Sequence, residues 1–174
     1  TWLNLGRPAR ALAAAREAVA ADPENWKAHN ALGLARLESD DLGDAAGAFE
    51  RALKLAPDEP TPRANAALCS FRLGDLPRAR ARLVRAARLA EQAGRTGELD
   101  SVSQLAIELL GERDAYNFIH AVLSANPQAA MTWNNRAVLL RRMGAVDQAL
   151  ESAERALALN PAYAKAHVQR ANAL

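Results

Sequence analysis

Three histidines, one cysteine and a cluster of arginines are the residues whose chemistry could give this 174-residue chain an activity. His29, His120 and His167 are far apart in sequence. No His-Glu-x-x-His or Cys-x-x-Cys spacing accompanies them, so a metal would lack further ligands at helical spacing. Cys69 follows Ala66, Ala67 and Leu68, a setting for packing rather than for a nucleophile. Ser101 and Ser103 lack the Gly-x-Ser-x-Gly turn that exposes a catalytic hydroxyl. No acids, bases and nucleophiles converge, so the sequence reads as a non-enzyme that needs neither cofactor nor metal. Gly94-Arg95-Thr96-Gly97 has the Gly-x-x-Gly form that can clamp a nucleic-acid backbone, but that module needs strands beside it. None is expected here, and the segment reads as a flexible connector.

Arg78, Arg80, Arg82, Arg85 and Arg88 form the densest charge cluster, and on a helix Arg78, Arg82, Arg85 and roughly Arg88 share a face. The stretch that follows is acidic (Glu98, Asp100, Glu108, Glu112 and Asp114), and partial neutralisation between the two is expected. An anionic partner on this face is weighed against a merely solvated one, and no interleaved aromatics support stacking on single strands. With 22 basic against 20 acidic residues, the net charge of +2 argues against nucleic acid or a membrane surface as an obligatory partner. No apolar run has the length of a membrane span, and a single cysteine cannot form an internal disulfide.

Whatever positions these side chains is helical. Alanine, the best helix former, makes up about a quarter of the chain, while β-branched and aromatic residues are scarce. The helices recur with a period. Pro23 and Pro57 are 34 residues apart, as are Pro127 and Pro161, each after an apolar helical run. Small residues recur as Ala11, Ala45, Ala79, Ala115 and Ala149, and again as Ala18, Ala52, Ala86, Val122 and Ala156. Turns fall at Gly6, Asp40, Gly74 and Gly144, with Gly111 displaced by one residue. Each period therefore reads as two helices. The glycine supplies the left-handed residue that ends the first, and the proline closes the second. Small residues at the crossings let backbones approach.

His29-x2-Leu32-Gly33-x2-Arg36, followed by Ala45-x3-Phe49, Ala52 and Pro57, resembles the tetratricopeptide repeat, a 34-residue helical hairpin. Trp133, Gly144, Ala149, Ala156 and Pro161 repeat the pattern, with Arg136-Ala137 replacing Leu-Gly. The resemblance implies an all-α, right-handed superhelical solenoid of antiparallel helix pairs. The units are placed at 1–25 (second half only), 26–59, 60–95, 96–129, 130–163 and 164–174 (first half only). The fourth, with Val102 and Ser103 at the Leu-Gly site, is expected to be helical but irregular, a place where the superhelix can bend. Both ends fall in mid-repeat, so a longer protein, or open ends that dock another copy, is expected.

The resemblance also implies a function, a protein-interaction scaffold that binds a peptide or protein segment along a groove lined by the first helices. Carried over by position, the groove comprises Lys27, Asn30, Leu34, Leu37 and Glu38, then Asn65, Leu68, Phe71 and Arg72. It continues with Asp100, Gln104, Ile107 and Glu108, then Asn134, Asn135, Val138, Arg141 and Arg142, and ends with Lys165, Gln169 and Asn172. Asn65 and Asn135 stand where such repeats often bond a ligand main chain. The Lys-Asn-Arg cluster with which some members hold acidic chain ends is incomplete here, Asn30, Leu34, Gly97 and Ser101 replacing it. His29 and His167 occupy the slot the family usually gives to Trp, and packing between helices accounts for them. The alternative function is a targeting or oligomerisation arm of a larger enzyme or assembly protein.

Overall fold

The computed structural model describes residues 8–174, so the turn expected at Gly6 lies outside the described residues. Among the described residues there are ten helices and no strand: α1 (Pro8–Ala21), α2 (Trp26–Glu38), α3 (Leu42–Leu55), α4 (Pro60–Arg72), α5 (Leu76–Gln92), α6 (Thr96–Leu109), α7 (Glu112–Ala125), α8 (Ala130–Arg142), α9 (Val146–Leu159) and α10 (Ala164–Asn172).

Two kinds of turn separate them, and both are legible in the sequence. Asp40, Gly74 and Gly144 have φ of 61°, 81° and 78°, the left-handed conformation that stops a helix. In each case the next N–H reaches back five residues, Asp41 to Arg36 O, Asp75 to Ser70 O and Ala145 to Leu140 O, at 2.9 Å. The Gly94 segment closes in the same way, with φ 66° and Arg95 N–H on Ala90 O at 2.8 Å. It is thus a closed turn rather than a loose connector, and Thr96 and Gly97 already belong to α6. Gly111 is the exception among these turns. Its φ is −59° and it caps α7 from an extended conformation.

The second kind of turn carries proline. Asp22, Asn126 and Asn160, each just before a proline, accept a hydrogen bond from the N–H two residues on, at 3.2 Å. Six residues after each proline a side chain then donates to the proline carbonyl. His29 Nε2 reaches Pro23 at 2.9 Å, Trp133 Nε1 reaches Pro127 at 2.9 Å and His167 Nε2 reaches Pro161 at 2.8 Å. An Arg63 guanidinium nitrogen does the same to Pro57 at 2.5 Å. The two histidines are therefore fastenings between a helix and the turn before it. A His with its proton on Nε2, a Trp and an Arg all fill the role because each offers an N–H at the end of a long side chain.

The helices divide into two compact units, Thr1–Ala86 and Ala87–Leu174, with the division inside α5. In the first unit α2 packs against α1, α3 and α4; in the second α8 packs against α6, α7, α9 and α10. Alanines at the crossings are buried as expected, with Ala45, Ala79 and Ala115 fully enclosed, whereas Ala18 is exposed. The tightest crossing is Gly33 on Phe49, where a Cβ would lie 2.6 Å from the ring. In the second unit the same two positions are held by Ala137 and Ala153, both buried. The smaller second-helix residue there leaves room for a first-helix Cβ, which the Phe49 ring excludes at Gly33.

Candidate functional site

Within each unit a pair of polar side chains joins successive first helices. Counted from the helix starts, the fifth residue of one first helix meets the sixth residue of the next. In the first unit Asn65 Nδ2 (α4) donates to Asn30 Oδ1 (α2) at 2.9 Å. In the second, Asn135 Nδ2 (α8) donates to Asp100 Oδ1 (α6) at 2.5 Å. Both amides expected to bond a ligand main chain therefore spend a donor inside the protein. Asp100 is only 7% exposed, and burial pushes its carboxyl above the ordinary range against the opposing influence of Asn135 and Lys165.

Beside that pair lies a cleft of about 250 Å³, wholly within the second unit and lined by α6, α8 and α10 alone. Ile107, Val138 and Val168 give it an apolar lining, Asn134, Asn135, Gln104 and Gln169 supply amides, and Arg142, Lys165 and Glu108 supply charge. Gln104 Nε2 donates to Glu108 at 3.3 Å. Asn134 is only 3% exposed, yet its Oδ1 has no hydrogen-bond partner, and neither has the buried Oε1 of Gln169. Of the cleft residues, the sequence reading missed Val168. The available signal was its place one turn after Lys165 on a helix whose neighbours, α6 and α8, each present an apolar residue.

The other expected groove residues are more scattered in role. In the first unit Leu37 lies in the core with Phe49 and Cys69, and Leu34 and Leu68 pack half-buried against that cluster. Phe71 is half-buried beside them in sequence, and Lys27 is exposed with its ammonium 5.7 Å from the Trp26 ring centre. Arg72 is a fastening: it donates to Leu37 O and to Asp40 Oδ1, both at 2.8 Å, tying α4 to the end of α2 and the turn after it. In the second unit Arg141 and Asn172 are exposed and do not line the cleft.

Within the first unit the arginine face is partly neutralised by the preceding helix pair. Arg78 and Arg82 both pair with Glu50 of the preceding α3, Arg78 at 3.0 Å. Arg82 turns inward to Ala66 O and Ser70 Oγ, at 2.8 and 2.5 Å. Cys69 is buried, its thiol pushed up by that burial and its Sγ 3.5 Å from Leu42 O. Ser101 and Ser103 bond carbonyls of their own helix, Gly97 and Leu99. Among the described residues no His, Cys, Asp and Glu group could hold a metal ion, and no helix is long and apolar enough to cross a membrane.

Comparison with known proteins agrees with this architecture. Three tetratricopeptide-repeat profiles match residues 3–60, 36–95 and 130–163. Protein FlbA of Caulobacter vibrioides is 30% identical over 143 residues, which is 80% of this chain but 23% of FlbA. The chain thus spans about a quarter of the length of that relative. Among solved structures, YrrB, described as a repeat protein of this kind with an unusual peptide-binding site, superposes with a TM-score of 0.54 at 21% identity. The match covers 98% of this chain and 86% of YrrB. TTC0263 of Thermus thermophilus gives 0.58 at 21% identity, covering 99% and 93% of the two chains.

Proposed function

The chain belongs to the tetratricopeptide-repeat family, a protein-interaction fold, and from that premise we propose that it binds a peptide or protein segment along its first helices. The observation that carries this reading is the cleft of the second unit. Three successive first helices line it and no second helix does, so it lies on the face that the repeat leaves uncovered. Its mixture of aliphatic side chains, amides and a few charges suits an extended segment. Such a segment offers main-chain polar groups along its length and alternate side chains to each side. The half-buried Leu34, Leu68 and Phe71 of the first unit supply a second apolar strip on its own first helices.

A photo-crosslinking amino acid placed at Leu68 or Val138, with Ala81 and Glu154 on second helices as controls, tests the reading. Partners trapped from the first-helix positions and not from the controls support it. Equal trapping from both sets, or trapping from the controls alone, refutes it. The FlbA match favours a second reading, in which the same surface serves as the docking arm of a longer protein.

A further inference from the structure

The arginines of α5 that fall in the first unit meet a further arginine from α4. Arg82 Nη1 donates to Ala66 O at 2.8 Å, which fixes the register of α5 on α4. The two helices form an antiparallel hairpin about the Gly74 turn, so one turn onward along α5 lies opposite one turn back along α4. Arg85 therefore stands beside Arg63. The electrostatics agree with that placement. Burial, then the charges of Arg85 and Arg82, hold the Arg63 guanidinium below its ordinary range, against the opposing Asp58 and Glu50. The repeat itself does not require these charges. Position 63 corresponds to His29, Trp133 and His167, and the indole of Trp133 makes the same bond to a proline carbonyl without any charge. Position 82 corresponds to the buried Ala48 and Ser152. Internal counter-charge is also short. Glu50 already serves both Arg78 and Arg82. Arg63 spends one nitrogen on Pro57 O, and Arg85 is exposed with no ion-pair partner among the described residues.

We propose that Arg63 and Arg85 hold a phosphate monoester or free phosphate dianion against the α4–α5 hairpin, with Arg82 adding positive potential beside them. Two guanidinium groups balance a dianion, and each presents a planar fork of N–H donors to the oxygens of a tetrahedral anion. A nucleic-acid strand fits this place poorly. Its phosphates carry one charge each and continue in both directions, whereas here the carboxylates of Glu50 and Asp58 act on the same arginines. A discrete anion meets the two forks without running onto those carboxylates. The site shares no residue with the surface assigned above to a peptide segment, and neither assignment depends on the other.

The test titrates the whole chain with phenyl phosphate at constant ionic strength and follows the guanidinium Cζ resonances by NMR. Saturable shifts are expected at Arg63 and Arg85, and none at Arg155, which holds the equivalent place in α9. Binding is expected to weaken about fivefold or more between about pH 7.5 and about pH 5, because a phosphate monoester loses its second charge near pH 6. Dimethyl phosphate, a singly charged diester, is expected to bind about tenfold more weakly or worse. Arg85→Gln and Arg63→His are each expected to weaken phenyl phosphate about tenfold, and Arg155→Gln to leave it unchanged. Arg63→His copies position 29 and keeps the bond to the proline carbonyl, so an unaltered melting temperature separates lost binding from lost folding. Inorganic phosphate and acetyl-Ala-phosphoserine-Ala-amide distinguish the two sources. Tighter peptide assigns the site to a phosphorylated protein, and tighter inorganic phosphate assigns it to the free anion. No saturable shift at either arginine, equal affinity for the diester, or undiminished binding in both variants overturns the proposal.

Discussion

Asn30–Asn65 in the first unit and Asp100–Asn135 in the second are the same contact written with different charge. Each joins the fifth residue of one first helix to the sixth of the next, through a donated amide N–H. The first pair is neutral and half-buried; in the second both partners are buried and one is a carboxylic acid. A neutral amide pair makes a modest net contribution because water competes for both groups. A buried carboxylate must be fully bonded or protonated, and one amide N–H at 2.5 Å only partly offsets its burial. The same architectural link is therefore nearly indifferent to pH in one unit and sensitive to it in the other.

The comparison breaks most sharply if the donor is removed. Asn135→Ala leaves Asp100 buried without its amide partner and is expected to cost about 2–3 kcal/mol, against about 1 kcal/mol for Asn65→Ala. Chemical denaturation of the two variants measures the difference, and equal losses would show that the charge is irrelevant. A second contrast concerns packing. Gly33→Ala drives a Cβ into the Phe49 ring and is expected to lose about 1–3 kcal/mol. A loss below that range in thermal melts would mean that the ring moves aside.

The third prediction concerns pH. Because the folded state raises the Asp100 pKa above its ordinary value of 3.8, the native protein holds this proton more tightly than the unfolded chain. The contribution of this residue to stability therefore falls as pH rises from about 3.8 through the higher folded value, and stays low above it. Asp100→Asn, which copies the Asn30–Asn65 pair, is expected to raise stability at neutral pH and flatten the pH profile. Asn30→Asp is expected to lower stability at neutral pH. A steeper profile in Asp100→Asn would reverse the sign of the argument. The smallest expected effect is at the turn after α2. Asp40→Gly relieves a left-handed aspartate but removes the Arg72 contact, so the change should stay within about 0.5 kcal/mol. Gly144→Ala, with relief of neither kind, should lose about 1 kcal/mol.

Much of this was legible beforehand for a local reason. Asp40, Gly74 and Gly144 announce left-handed turns because only such residues tolerate positive φ cheaply. The asparagines and aspartate before three of the prolines announce turns because their side chains reach a main-chain N–H two residues on. The site was legible in part. Positional carry-over found most of the cleft residues. It assigned Leu37, Arg72, Asn65 and Asn135 to a ligand, whereas the structure gives each of them a packing or hydrogen-bonding partner inside the protein. Periodicity identifies which helix face a residue occupies, but not whether its donor is already taken by a residue 35 positions away.

By itself the sequence determined the helices, their turns and their repeat, because these depend on interactions spanning at most about one helical turn and on a period that repetition makes visible. Only the tertiary structure decided which polar groups are satisfied. That Glu50 pairs with Arg78 and Arg82, that His29 and Trp133 do one job, and that the buried oxygens of Asn134 and Gln169 find no donor all depend on distances between separate segments. Side-chain length and rotamer set those distances.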